Sequence, residues 1–128
     1  MTVARQRLGR VAEELAARRL AGAGFTILAR NVRLRIAEVA GEIDIVAVER
    51  STLVFVEVKA GRAGSRAGPE RPVLAVGRRK QQRLRRLARA WLSTAGPLPR
   101  FTSLRFDVVG VLLDGGRVVG YEHIRGAF

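Results

Sequence analysis

The chain has 128 residues, and its 24 lysines and arginines against 11 aspartates and glutamates give a formal net charge of +13. This length suits one domain with its own core, and the lack of cysteine excludes disulfides and thiolate metal sites. No apolar segment is long enough for a membrane span and the first ten residues lack a signal peptide's apolar stretch, so we expect a cytoplasmic protein. The basic excess favours nucleic acid over a membrane surface as the partner.

Residues 3–22 have the periodicity of an amphipathic helix that is stopped by the glycines at 22 and 24. The apolar side of this helix is predicted to consist of Leu8, Val11, Ala12, Leu15, Ala16 and Leu20. Glu13 lies at the boundary of that side, where it could reach over the edge of a sheet, whereas Glu14 should face water. An ordinary helix carboxylate is an equally good interpretation of Glu13.

A β-hairpin is predicted from two apolar runs, residues 41–48 and 53–59, which flank a polar turn. Residues 25–30 predict a short strand before it, while residues 31–40 leave strand and loop open. Both faces of the hairpin are apolar, so we expect it at the centre of a sheet. The face opposite Asp44 is predicted to carry Ile43, Ile45, Ala47, Val54, Val56 and Val58.

Four charged residues of this hairpin are predicted to share one patch. Antiparallel partners whose numbers sum to 101 place Asp44 opposite Glu57 and Glu42 opposite Lys59. Carboxylates about 5 Å apart raise each other's pKa unless a cation intervenes. Asp44 and Glu57 therefore predict a Mg²⁺ site, at which the ammonium of Lys59 would assist attack of water on a phosphodiester. The alternative is a solvated salt-bridge cluster at the end of a sheet.

The set formed by Asp44 and the sequence Glu57-Val58-Lys59 resembles the PD-(D/E)xK nuclease motif. The whole chain resembles the YraN-type family of small bacterial proteins. The matching segments are AEELA at 12–16, GEIDIVA at 41–47, VFVEVKA at 54–60, GRRKQQRL at 77–84, RFDVVGV at 105–111 and HIRGAF at 123–128. This resemblance implies a restriction-endonuclease-like fold, similar to that of archaeal Holliday-junction resolvases.

The resemblance also implies roles for individual residues. Asp44, Glu57 and the carbonyl of Val58 would hold Mg²⁺ or Mn²⁺, and Lys59 would orient the nucleophilic water. Glu13 matches the glutamate that related resolvases bring to the metal from their first helix. Junction-like DNA is the substrate by analogy, and cutting a junction at two symmetric positions would require a homodimer.

The segment at 60–77 is rich in glycine, proline and arginine, which predicts a mobile loop rather than core structure. It follows Lys59 directly, so it could close over a bound strand, with Arg62 and Arg66 contacting phosphates. A linker that makes no contact with substrate is the alternative.

Residues 78–94 predict a second helix with a basic outer surface. Its buried stripe is predicted to be Leu84, Leu87, Ala88, Trp91 and Leu92, with Trp91 in the core rather than stacking on bases. The helix contains no acid to pair with its cations, which favours a phosphate-facing surface over a merely solvated one. The expected contacts are Arg79, Lys80, Arg83 and Arg86, and the family resemblance adds Gln81 as a residue that assists at the site.

Residues 104–113 form a second apolar strand, which the strand-helix-strand order predicts to be parallel to the strand of Glu57. Asp107 interrupts this strand either as a third acidic group or as an end-of-strand salt bridge. A turn at 114–116 leads into a last strand at 117–124. The histidine within that strand, His123, is predicted to be structural.

The sequence therefore predicts a single restriction-endonuclease-like domain spanning 1–128, an α/β fold with a mixed sheet. The predicted order is helix, three antiparallel strands, helix, parallel strand and edge strand. The predicted function is Mg²⁺- or Mn²⁺-dependent hydrolysis of DNA phosphodiesters, with arginines binding the backbone without sequence readout. The alternative from another class is a non-catalytic nucleic-acid-binding module with the same fold.

Overall fold

A computed structural model describes residues 3–64 and 71–128 of the chain. The elements in chain order are α1 (Val3–Gly22), β1 (Thr26–Ile36), β2 (Val39–Glu49), β3 (Thr52–Arg62), a short 3-10 helix (Pro72–Ala75), α2 (Arg78–Thr94), β4 (Ser103–Asp114) and β5 (Arg117–Ile124). Apart from the 3-10 helix, this order is the one predicted from the sequence. Neither α1 nor α2 is both long enough and apolar enough to cross a membrane.

The five strands form one mixed sheet in the order β1-β2-β3-β4-β5. β3 and β4 are parallel, as predicted, and the other neighbouring pairs are antiparallel. Helix α1 covers one face of the sheet and helix α2 covers the other, and each helix closes a separate buried core. The inner strands β2 and β3 are therefore apolar on both faces, because each face packs against a helix.

The predicted register of the central hairpin is confirmed from the turn to Ile45 and Val56, but the predicted pairs of Asp44 with Glu57 and of Glu42 with Lys59 are wrong, because the β2–β3 ladder ends before them. Pairs from Glu49 with Thr52 to Ile45 with Val56 all sum to 101, and a two-residue turn at 50–51 joins the strands. The predicted face of one residue is wrong, because Ile43 packs in the α2-side core beside Val46.

The neighbouring strand β1 is irregular beside Ile43 and Asp44. Asn31 is located between the paired residues Arg30 and Val32 and has a φ of 51°, a left-handed conformation that interrupts regular alternation in β1. In β2, the partners of Arg30 and Val32 are Ile45 and Ile43, and these two residues pack in opposite cores although they are two positions apart.

One further boundary and one further burial assignment differ from the sequence prediction. β1 is longer than residues 25–30 suggest and continues to Ile36, where a two-residue turn leads directly into β2. Val11 is 42% exposed, although it was expected on the apolar side of α1. The buried side of α1 is instead centred on Ala12, Ala16 and Leu20, and Val11 lies about 100° around the helix from Ala12.

The segment at 60–77 is partly regular structure, contrary to the predicted loop. β3 continues to Arg62, and the 3-10 helix packs on β3 and β4 with Val73 buried. Gly110 permits this packing, because a Cβ at that position would lie 3.0 Å from the backbone nitrogen of Val73. Arg66 belongs to residues 65–70, outside the described part of the chain.

Candidate active site

The candidate site lies where the two central strands stop pairing. The last pair of the β2–β3 ladder is Ile45 with Val56. One residue further on, the carboxylate oxygen Oδ2 of Asp44 accepts a hydrogen bond from the backbone N–H of Val58 at 2.8 Å. The Asp44 side chain thus accepts the hydrogen bond that a backbone carbonyl of β2 would accept in a continuing β2–β3 ladder. A cleft of about 550 Å³ lies between α1, β2, β3 and α2 at this point.

Three carboxylates meet in this cleft. Oxygens of Glu13, Glu42 and Asp44 lie within 4.8 Å of one another. α1 supplies Glu13, whereas Glu42 and Asp44 are alternate residues of β2. The amide of Asn31 lies against the first two, and with its nitrogen turned towards them it donates to Glu13 Oε2 and to Glu42 Oε1, the latter at 3.2 Å. Of these three residues, Asp44 and Glu13 were predicted as metal-site residues from the sequence or by resemblance.

Glu57 is buried in the same cleft and is paired with lysine. Its Oε1 atom lies 2.9 Å from Nζ of Lys80 and 3.8 Å from Nζ of Lys59. Only 6% of the Glu57 side chain is exposed, and the two ammonium groups compensate the cost of burying its carboxylate. Lys80, expected on the nucleic-acid surface, therefore lies inside the cleft beside the carboxylate.

The crowding of like charges changes the acidity of these groups. Burial and the neighbouring charge of Glu57 raise the pKa of Asp44 to about 8, despite the hydrogen bond from Val58. Burial and the charge of Glu42 raise the pKa of Glu13 as well. A carboxyl with a pKa of about 8 is largely protonated at neutral pH, so Asp44 retains its proton there in the absence of a cation.

The pKa values of Lys59 and Lys80 shift in opposite directions. Burial and the adjacent Lys80 lower the pKa of Lys59. Burial acts against the charged form of Lys80, but the contacts with Lys59 and Glu57 raise the pKa of Lys80 overall. Lys80 therefore holds its proton more strongly than Lys59 does, in agreement with the shorter distance from Lys80 to Glu57.

Basic side chains surround the acidic floor. The charged residues that line the cleft are Arg5, Glu13, Glu42, Asp44, Glu57, Lys59, Lys80 and Arg83. Arg79 and Arg86 are exposed on the outer surface of α2, outside the cleft lining. Such a layout places cations where the backbone of a polyanion could lie while its phosphate approaches the carboxylates.

Other residues considered in the sequence analysis lie elsewhere. The Gln81 amide donates to the carbonyl of Val76 at 3.1 Å, so it fixes the segment before α2, and it is not part of the cleft lining. Arg62 lines a second depression, between the start of α1 and the β4–β5 turn. Arg66 is outside the described residues.

Asp107 belongs to a structural network rather than to the cleft. Its fully buried carboxylate accepts hydrogen bonds from Arg105 Nε at 2.7 Å and from the backbone N–H of Gly126 at 3.0 Å, and lies 2.8 Å from His123 Nε2. This is the salt-bridge alternative for Asp107, and it gives His123 the structural role predicted from the sequence. The network holds the C-terminal segment against β4.

Sequence reasoning placed Glu42 in the charged patch without a metal-binding role, gave no role to Asn31, and assigned Lys80 to the nucleic-acid-binding surface. A signal for Glu42 was available, since it precedes Asp44 by two positions on the same strand. Asn31 gave no signal, because its contacts with Glu13 and Glu42 join β1 to α1 and β2, which no local pattern specifies. The position of Lys80 depends on how the first turn of α2 packs over β3, which periodicity alone does not specify.

The donor set fits a hard divalent cation. Mg²⁺ binds oxygen at about 2.0–2.1 Å, so two oxygens on one ion lie roughly 3–4 Å apart. The oxygens of Glu13, Glu42 and Asp44 are within 4.8 Å of one another, close to that span. Because the N–H and carbonyl of a strand residue point to the same neighbour, the carbonyl of Val58 also faces the side of Asp44.

The fold and cleft define an α/β protein with a mixed five-stranded sheet and an acidic group suited to metal binding. A family model described as "Uncharacterised protein family UPF0102" matches residues 12–111, and the chain belongs to this family. This confirms the resemblance to the YraN-type family noted in the sequence. The matched region includes the carboxylates and both lysines of the cleft.

Relatives cover the chain almost completely. It is 49% identical over 124 residues to a UPF0102 protein of Streptomyces griseus, covering 96% of this chain and 97% of that protein. It is 48% identical over 124 residues to one from Desulforapulum autotrophicum, covering 97% and 94%. It is 44% identical over 129 residues to one from Moorella thermoacetica, covering both chains fully.

Proposed function

We propose that this protein is an endonuclease that hydrolyses DNA phosphodiesters with Mg²⁺ or Mn²⁺. The observation that carries the proposal is the convergence of Asp44, Glu57, Lys59 and Glu13 in one cleft at the end of the β2–β3 ladder. Buried carboxylates beside lysines, in a strongly basic protein, suit a site that must bind a cation and a phosphate together. The family resemblance to PD-(D/E)xK nucleases supports the same reading.

Each cleft residue has a defined task in this proposal. Asp44, with Glu57 and the carbonyl of Val58, would hold the ion, and Glu13 would be an outer carboxylate. When bound, the ion supplies Lewis-acid chemistry by lowering the pKa of a water molecule and neutralising charge on the phosphate. Lys59 would orient that water or stabilise the charge that develops on the phosphate.

The Glu57–Lys80 contact adds a requirement to this scheme. An ion that uses Glu57 directly must compete with the ammonium of Lys80, 2.9 Å from Oε1. If Glu57 keeps Lys80 instead, Glu42 and Glu13 complete the coordination of an ion on Asp44. In both arrangements Asp44 is the shared ligand, so substitutions of Asp44 test the proposal most directly.

A catalytic assay decides between the endonuclease and a non-catalytic nucleic-acid-binding module. Branched, flap and single-stranded DNA are incubated with Mg²⁺ or Mn²⁺ and with the wild type, Asp44→Asn, Lys59→Met or Asp114→Asn. Asp114 is an exposed aspartate outside the cleft and serves as the matched control. We expect cleavage by the wild type and Asp114→Asn, and a loss of roughly 100-fold or more in the other two.

DNA binding is measured in parallel for every variant. Retained binding with lost cleavage in Asp44→Asn and Lys59→Met supports the catalytic roles. If the wild type binds DNA and cuts none of the substrates with either ion, the binding-module function replaces the endonuclease. Preference among the substrates then identifies the DNA shape, including the junction that the resolvase analogy suggests.

A further inference from the structure

The hairpin of β1 and β2 continues beyond the end of the β2–β3 ladder. Pairing between β1 and β2 runs on to Ile36 with Val39, whereas the β2–β3 ladder ends at Ile45 with Val56. Among the described residues, the ribbon Val32–Ile43 therefore has no third strand beside it. We call this ribbon the arm.

The arm has one apolar and one basic face. Val32 and Leu34 are half-buried and pack against the α2-side core. Arg33 and Arg35 alternate with them and are exposed. The basic face starts at the cleft, since Arg33 pairs in register with Glu42, a member of the acidic group.

The arginines of the arm are available to an external anion. The Arg33 side chain is 89% exposed, and its Nε lies 3.9 Å from the Glu42 carboxylate. An ion pair of this length in water is worth little, so it does not compete with a phosphate. Two residues along a strand span about 6.8 Å, which corresponds to about two nucleotides of rise along one strand of a duplex.

A second row of cations lies on the other side of the arm's base. Gly41 sits against α2, where a Cβ on this glycine would be 3.7 Å from Cδ of Arg83. Arg79 and Arg86 continue that row along the exposed side of the helix. The base of the arm thus separates the basic face of the arm from the basic surface of α2.

We infer that the arm holds double-stranded nucleic acid beside the cleft, which specifies the substrate class of the proposed endonuclease and rests on that function. Arg33 and Arg35 contact the backbone of the strand that is not cut. The α2 row holds the strand whose phosphate enters the cleft. Two separate rows of cations fit the two backbones of a duplex, whereas a single strand occupies one row.

Salt-dependent binding without divalent ions tests this inference independently of catalysis. The double variant Arg33→Ala/Arg35→Ala is compared with Arg50→Ala/Arg100→Ala, which removes the same charge at the opposite end of the sheet. Each phosphate contact contributes about 0.9 to the slope of log affinity against log salt, so two lost contacts lower the duplex slope by about 1.8. We expect this decrease only in the arm variant, with single-stranded DNA binding changed less than about twofold.

An unchanged duplex slope, or an equal loss for single-stranded DNA, would overturn the inference. The variant Arg33→Lys/Arg35→Lys separates charge from structure, because lysine also neutralises a phosphate. It should restore the duplex slope; failure to do so means that the alanine effect is structural and the inference is wrong. All these binding measurements are made in chelator, so their interpretation does not depend on whether the protein has nuclease activity.

Discussion

The carboxylate of Asp44 accepts the backbone N–H of Val58 at 2.8 Å, one residue beyond the last pair of the β2–β3 ladder. This bond satisfies a backbone donor that would otherwise lack its ladder partner. It also holds Asp44 against the charge of Glu57, which together with burial raises its pKa to about 8. The Asp44 side chain thus makes a stabilising hydrogen bond in a position where its negative charge is unfavourable.

The raised pKa of Asp44 predicts that the protein becomes less stable as pH rises. Between the ordinary aspartate pKa of 3.8 and the folded value of about 8, the folded protein retains a proton that the unfolded chain has lost. The free energy of unfolding therefore falls through this window, by up to about 1.4 kcal/mol per pH unit. Urea unfolding at pH 5, 6, 7 and 8 in chelator measures the slope.

The control for this prediction is Asp44→Asn, which keeps an oxygen acceptor for Val58 but does not titrate. We expect a flatter profile for this variant and greater stability than the wild type at pH 8. Glu13 also has a raised pKa and acts in the same direction, so some slope should remain. Identical slopes in the two proteins would exclude the assigned role of Asp44.

Metal binding should depend on Glu13 and not on its neighbour Glu14. Glu13 faces the cleft, while Glu14 is 51% exposed and pairs with Arg30 at 3.0 Å. We expect Glu13→Gln to weaken Mn²⁺ or Mg²⁺ binding roughly 10-fold and Glu14→Gln to leave it unchanged, as measured by calorimetry. Equal affinities for the two variants would remove Glu13 from the metal site.

Binding of the ion should release protons at neutral pH. A ligand carboxyl with a pKa near 8 is largely protonated at pH 7 and must ionise to bind a cation. Calorimetry in buffers of different ionisation enthalpy should give a release approaching one proton per ion at pH 7 and less at pH 9. Proton release that does not vary between these pH values would contradict the assignment to Asp44.

The Lys80–Glu57 ion pair should contribute to stability. Lys80→Met leaves the buried Glu57 carboxylate with Lys59 alone, 3.8 Å away, and should lower the free energy of unfolding by about 1–3 kcal/mol. Glu57→Gln in the same chain removes the uncompensated charge, so the double variant should recover most of the loss. A double-mutant cycle by urea unfolding measures the coupling, and additive losses would show that the pair is not coupled.

Packing of the 3-10 helix beside the site is predicted to require glycine at position 110. Gly110 pairs with Lys59 in the β3–β4 register, and an added Cβ would meet Val73 Cγ1 at 2.8 Å. Gly110→Ala should destabilise the fold by about 1–3 kcal/mol, because the 3-10 helix must shift. Gly9→Ala meets no atom within 4 Å and should stabilise α1 by roughly 0.5–1 kcal/mol. Thermal unfolding of both variants compares the two effects.

The fold was predictable where local patterns are strong. The bounds of α1 and α2 follow from helical periodicity, and the pairing of Val46 with Phe55 follows from a short turn between two apolar runs. The face of Ile43 was not predictable, because β2 departs from strict alternation at Asp44, where its pairing with β3 ends. Prediction of side-chain faces from a two-residue period requires a regular strand, so it gives the wrong face where the strand is irregular.

The sequence by itself determined the elements of the molecule, its strong positive charge, and the presence of Asp44, Glu57 and Lys59 at one end of a central hairpin. These properties depend on composition and on spacing along one or two strands. Only the tertiary structure decided between the two interpretations of Glu13, brought its carboxylate within 4.8 Å of those of Glu42 and Asp44, and paired Lys80 with Glu57. These contacts join α1, β2, β3 and α2, and their distances are set by how the helices pack on the sheet, which no local pattern encodes.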